Sequence, residues 1–215
     1  MALGCAKGRA MLQRHTRSES RMSPHRILLS RQFEEFGRRW PQQADAAAEF
    51  KRFLDSSPDV FRREHAVGHF TGSCWLVSAD GQRVLLTHHR KLGRWLQLGG
   101  HADGDEDLAR VALTEAHEES GLTGLVLKPG IFDLDRHVIP ARKADPEHFH
   151  YDVRYVVRAT ADEAFVVSEE SHDLAWRPVA ELADDSDVDA SVRRMAGRWL
   201  ERGPSLVPCV AFPSL

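Results

Sequence analysis

The chain has 215 residues, of which 42% are hydrophobic and 28% charged, with a formal net charge of -3. That length suits one enzyme-sized unit with its own core, and the charge gives no global pull toward nucleic acid or an acidic membrane. Cys5, Cys74 and Cys209 stand far apart without a CxxC spacing, which argues against a disulfide framework or a cysteine-zinc cluster and fits a reducing cytoplasm.

No apolar run approaches ~18 residues, and the basic N-terminus has no apolar stretch, so neither a membrane span nor a secretory signal is expected. Residues 1–24 are basic, small and without apolar period, and read as a disordered leader. Residues 25–64 follow as a helical extension: "RILLSRQFEEFGRRW" and "DAAAEFKRFLDSSPDVF" space apolar residues at i, i+3 and i+4, interrupted by Pro41 and by Ser56-Ser57-Pro58. This extension is a candidate active-site cover or homodimer surface. The period then changes to that of strands in 68–78, 83–89 and 94–100, with Asp80-Gly81 as a turn signal. A helix over about 106–120 follows, with Asp105 or Asp103 as its cap and Gly121 as its stop. Further strands are expected in "LTGLVLKPGIFDLDRHVI", "HFHYDVRYVVRA" and "AFVVSEESHDLAWRPV", and "DVDASVRRMAGRWLERG" closes as an amphipathic helix before a tail at 204–215. Strands on both sides of a central helix predict an α/β sandwich over 65–203, a mixed sheet held between helices.

The central helix carries an electrostatic anomaly. Glu115, Glu118 and Glu119 lie in its last two turns, where carboxylates oppose the helix dipole by roughly 0.3–1 kcal/mol each and repel one another. Stepping about 100° per residue from Glu115, Glu118 falls near -60° and Glu119 near +40°, in line with Leu108, Val111 and Ala112. The three acids therefore continue the stripe expected to be buried. A solvated acidic face is the other reading, but Gly99, Gly100 and Gly104 allow a strand end and its carbonyls to approach the carboxylates closely. Hard oxygen donors crowded in this way suit Mg²⁺ or Mn²⁺ far better than zinc.

Gly100, five residues, Glu106, seven residues and then Thr114-Glu115-Ala116-His117-Glu118-Glu119-Ser120-Gly121-Leu122 resemble the Nudix box, G-x5-E-x7-R-E-U-x-E-E-x-G-U, with U aliphatic. One fixed position differs, Thr114 in place of arginine. The resemblance implies the Nudix α/β/α sandwich and Mg²⁺- or Mn²⁺-dependent hydrolysis of a diphosphate joining a nucleoside to another moiety X, a small-molecule substrate with no nucleic-acid or membrane partner. It further implies that Glu115, Glu118 and Glu119 are metal ligands or, for one of them, the catalytic base, with the Gly100 carbonyl as an additional ligand. In the family Glu106 pairs with the motif arginine, so Thr114 removes that partner. Arg110, one turn earlier on the same flank, is the candidate replacement.

Other residues are placed by chemistry around the box. Arg90, Lys91 and Arg94 crowd a turn ahead of Gly99 and could grip phosphates by charge-assisted hydrogen bonds, with a solvated hairpin turn as the alternative. His101 follows the motif glycines, and His148 and His150 alternate onto one sheet face, so His101 and His150 are candidate substrate contacts. No zinc spacing such as HExxH is present. Trp95 and Phe149 read as core, and Glu169-Glu170 as an exposed turn or an extra carboxylate. Two other functions compete: an inactive Nudix-like module that binds a nucleotide or diphosphate, favoured by Thr114, and isopentenyl diphosphate isomerase, whose Cys-Gly-His is similar to "GGH" here but whose cysteine is replaced by Gly99.

Overall fold

A computed structural model of the chain describes residues 22–89, 93–142, 146–166 and 171–202. The leader expected at 1–24 lies almost wholly outside the described residues, as does the tail at 204–215.

The extension is two helices. Ser23 caps α1 (Pro24–Arg39), its hydroxyl accepting from the Arg26 N–H at 3.2 Å, and Pro24 occupies a first-turn position where a missing N–H costs nothing. Arg26, Leu29, Phe33 and Phe36 form its buried stripe. Pro41 opens a single 3-10 turn, and α2 (Ala44–Ser56) then buries Ala47, Phe50, Phe53 and Leu54. The sheet contains β1 (Gly68–Val77), β2 (Arg83–His89), β3 (Arg94–Leu96), β4 (Leu98–His101), β5 (Leu125–Leu127), β6 (Asp133–Ile139), β7 (His148–Ala159) and β8 (Ser171–Pro178). Between β4 and β5 lies α3 (Leu108–Ser120), and after β8 come α4 (Val179–Asp184) and α5 (Ala190–Arg202).

The axis of the sheet is the parallel pair β1 and β7, in register from Gly68↔Phe149 to Val77↔Arg158. Every other pairing is antiparallel, so the sheet is mixed. The other edge of β1 is shared, with β4 along its middle, Thr71 to Cys74, and β2 at its end. That division explains a difference from the sequence expectation. The run 94–100 is two strands, because 94–96 pairs with β2 while 98–101 pairs with β1. The chain must bend between those two partners, at Gln97.

Strand alternation divides the core in two. Phe70, Cys74 and Leu76 of β1, with Tyr151, Val153 and Tyr155 of β7, face α1, α2 and α3 in one cluster. Trp75, Val77 and Val156 face α5, with Met195 and Trp199, in the other. The first cluster holds Phe33, Phe50 and Phe53 of the extension together with Leu108 and Ala112 of α3, so the extension and the central helix share one core. Phe53 stacks on Tyr151 at 3.7 Å between ring centroids. Beneath α5 a buried ion network takes over: Asp133, fully buried, receives Arg154 at 3.3 Å, Arg194 at 2.7 Å and Arg198 at 2.6 Å. A buried carboxylate needs such partners, since an uncompensated one costs several kcal/mol.

Candidate active site

The box occupies β4, the loop after it and α3. Asp107 caps α3, accepting from the Arg110 N–H at 3.2 Å, rather than Asp105 or Asp103 as expected. Both of those are committed elsewhere: Asp105 accepts from the Asp107 N–H at 2.9 Å, and Asp103, at φ 49°, pairs with Arg63. Gly121 ends the helix in the left-handed conformation at φ 67°, as its type predicts.

Two glycines set how close the acids come to the strand. Gly72 of β1 pairs with Gly100 of β4, and its bare Cα lets Val111 and the Leu108 carbonyl settle against the sheet. A methyl group on Gly100 would collide with the Glu115 carboxylate. Glu119 accepts from the Gly99 N–H at 3.1 Å. Glu115 and Glu119 are half-buried against this backbone, whereas Glu118 is exposed. The inward orientation expected of all three therefore holds for two. The buried arc runs through Ala112, Ala116 and Ser120 and leaves Glu118 at its solvent edge.

The partner of Glu106 is the residue that sequence reasoning missed. Arg110 does not take that place, because its guanidinium lies on the surface and forms a fork to Asp105 at 2.7 and 2.9 Å. Thr114 is exposed. Glu106 instead meets the N-terminal extension: Ser23 donates its hydroxyl to it, and the Arg26 guanidinium lies 3.7 Å from its Oε1. Arg26 is buried, donates to the carbonyls of Leu54, Ser57 and Pro58, and stands 5.4 Å over the Phe61 ring. Its signal in the sequence is an arginine in phase with Leu29, Phe33 and Phe36 on the buried side of α1.

The turn expected to grip phosphates is only partly described. Arg90, Lys91, Glu169 and Glu170 lie outside the described residues. Arg94 opens β3, exposed, with its guanidinium 3.7 Å from Asp189 ahead of α5. Trp95 and Phe149 are partly buried against the two cores, Trp95 also 5.2 Å from His88 and Phe149 under Arg136 at 4.6 Å.

His101 and His150 are brought together, with ring centroids 4.9 Å apart, and His69 joins them at 5.0 and 4.7 Å. Cross-strand register does this. His69 pairs with His150, which pairs in turn with His137, while His101 lies opposite Thr71, two residues along β1 on the same face. Burial, then the neighbouring His101 and His148, pushes the His69 pKa down to about 4. His150 is pushed down to about 2, again by burial first and by the surrounding histidines next. On the same face Asp152 accepts from Thr71 at 2.9 Å, Ser73 at 2.7 Å and Arg154 at 2.7 Å. Burial alone would raise the Asp135 pKa, but His137, Arg154 and Arg194 outweigh it and hold the carboxyl low.

Residues 69–196, more than half of the chain, match the family model of the NUDIX domain, and the chain belongs to that family. A comparison with curated proteins gives no match. Among solved structures, a NUDIX-family hydrolase from Clostridium perfringens is 27% identical, with 62% of this chain and 97% of that one covered and a TM-score of 0.47. An Ap4A hydrolase from C. elegans, solved as a binary complex, is 15% identical over 62% of this chain and 96% of its own, with a TM-score of 0.50, a likeness of fold. The NUDIX domain of Shewanella oneidensis NrtR, solved with ADP ribose, is 21% identical over 62% of this chain and 86% of its own, with a TM-score of 0.44. Among the described residues no helix is long and apolar enough to cross a membrane.

Proposed function

We propose that this protein hydrolyses the diphosphate linkage of a nucleoside diphosphate derivative with Mg²⁺ or Mn²⁺, using Glu115, Glu118, Glu119 and the Gly100 carbonyl as ligands. The observation that carries the reading is the seating of the Glu115 and Glu119 carboxylates directly against Gly99 and Gly100. That seating brings the two carboxylates to the point where β4 meets α3, and carboxylate oxygens gathered there are the donor type of a hard cation that keeps several waters. Such an ion, when bound, neutralises the diphosphate and makes water a better nucleophile near neutral pH.

The residues themselves divide the remaining work. One of the three glutamates accepts the proton of the attacking water as the new P–O bond forms and the bridging P–O bond breaks. Glu118, facing solvent, is accessible to water and substrate. Glu119 is held by the Gly99 N–H, which fixes its carboxylate relative to the strand. Arg26 and Ser23 orient Glu106, the task that the motif arginine has in the family, so Thr114 does not leave Glu106 without a cation. This weighs against the inactive binding module. The isomerase reading loses ground as well. Cys74 is buried, and its thiol is held well above the usual range, by burial first and then by Glu119, Glu115 and Asp152.

Phosphate release from a panel of nucleoside diphosphate derivatives with Mg²⁺ or Mn²⁺, comparing the native chain with Glu118→Gln, tests the proposal. A fall of several orders of magnitude in the variant is expected. No release from any compound by the native protein would return the reading to a binding module.

A further inference from the structure

We propose that His69, His101 and His150 form a transition-metal site of the zinc class, separate from the carboxylates of α3. One ring nitrogen from each can be chosen so that all three lie within 4.8 Å of one another. Zinc–nitrogen bonds of about 2.0–2.1 Å in a tetrahedral shell set ligands roughly 3.4 Å apart, so small side-chain rotations close the triangle. The three imidazoles come from β1, β4 and β7, adjacent strands whose register fixes their Cα positions. A site on a sheet of this kind is built before the metal arrives, which limits the entropy lost on binding.

Unmet bonding capacity makes this more than a cluster of rings. His69 is 2% exposed, and neither of its ring nitrogens has a hydrogen-bond partner. The Nε2 of His150 is likewise buried without one. Buried polar atoms left in this state cost about 1–3 kcal/mol each, so native structures seldom keep them without a purpose. Each neutral imidazole has one N–H donor and one lone pair, so three rings with nitrogens within 4.8 Å of one another can offer three lone pairs to a single Lewis acid. Imidazole nitrogens are donors to a Lewis acid, and nitrogen donors select zinc, cobalt or nickel over magnesium. Three histidines leave a fourth position for water or another oxygen ligand. His148, with its ring 5.1 Å from His69, and His137, 5.4 Å from His150 and tied through Nδ1 to Asp135 at 3.2 Å, form the rim.

The site stands apart from the carboxylates in position and chemistry. His101 follows Gly100, but alternation along β4 points its side chain to the opposite face from the one α3 covers. The same short strand thus has oxygen donors on one side and nitrogen donors on the other.

The test is cobalt and zinc uptake by the full chain, purified without a histidine tag, dialysed against chelator and titrated in the presence of excess Mg²⁺. One equivalent of Co²⁺ is expected to give visible absorption typical of low-coordinate nitrogen ligation and to be displaced by Zn²⁺. His69→Gln and His101→Gln should each weaken uptake by more than the roughly 10–100-fold that outer-shell changes cost. Glu118→Gln should leave uptake as it is. His101, only half-buried, tolerates replacement better than His69, and circular dichroism of both variants shows that they are folded. The proposal is overturned if the native chain takes up no cobalt or zinc against magnesium, or if the folded histidine variants bind as the native chain does. It is equally overturned if Glu118→Gln, and not the histidine changes, removes the signal. The outcome does not depend on any hydrolytic activity.

Discussion

The two sides of β4 were built by different means. On the side facing α3, every proposed ligand comes from one short continuous segment, Gly99 to Glu119, and its geometry follows from a strand, a glycine loop and a helix taken in order. On the opposite side the three histidines come from positions 69, 101 and 150, and nothing but sheet register makes them neighbours. A local site is visible as a spacing, whereas a site assembled across strands shows as scattered single residues. Glu106 belongs to both kinds. Its position in the box is local, yet its cation comes from Arg26, 80 positions earlier in the chain.

The comparison can be broken most forcefully at Gly100. Alanine there should drive its methyl into the Glu115 carboxylate, displace that ligand by about an ångström and lower turnover by roughly 100-fold or more. Cobalt uptake at the histidines should stay close to native, since the new methyl points to the α3 side. Loss of both properties would show that the two sides are one coupled site.

A smaller effect is expected at Arg26. Replacement by alanine leaves three carbonyls without their donor and Glu106 without its cation, so the chain should lose about 2–4 kcal/mol in urea unfolding. Turnover of the folded variant should fall on the order of 10-fold in kcat with KM little changed, the pattern of a group that orients the site. Lysine at this position should rescue poorly, because it lacks the planar fork that reaches several acceptors at once. An Arg26→Ala protein with native kcat would show that Glu106 needs no cation.

The least effect is expected from Arg110→Ala. An exposed pair with Asp105 contributes little, and turnover should stay within about twofold of native, with an unchanged melting midpoint. A strong fall in turnover would move the orienting role back to Arg110 and leave Arg26 a structural residue.

Legibility followed the range of each interaction. The break at Pro41, the change of period at residue 68, the Gly121 stop and the glutamate triad are all local, and each is readable from neighbours within a few positions. The split of 94–100 into two strands was not, because it depends on which partner each half meets. Capping by Asp107 rather than Asp105 was not legible either. Three aspartates compete within five residues, and Arg63, from before the sheet, claims Asp103.

By itself, the sequence determined the family, the helix that carries the carboxylates and the glycines that admit them, since all three are properties of a contiguous stretch under backbone sterics. Tertiary structure alone decided that an arginine of the first helix completes Glu106 and that three distant histidines face one another. Those neighbours are selected by packing and register over the whole sheet, and spacing along a chain holds no measure of either.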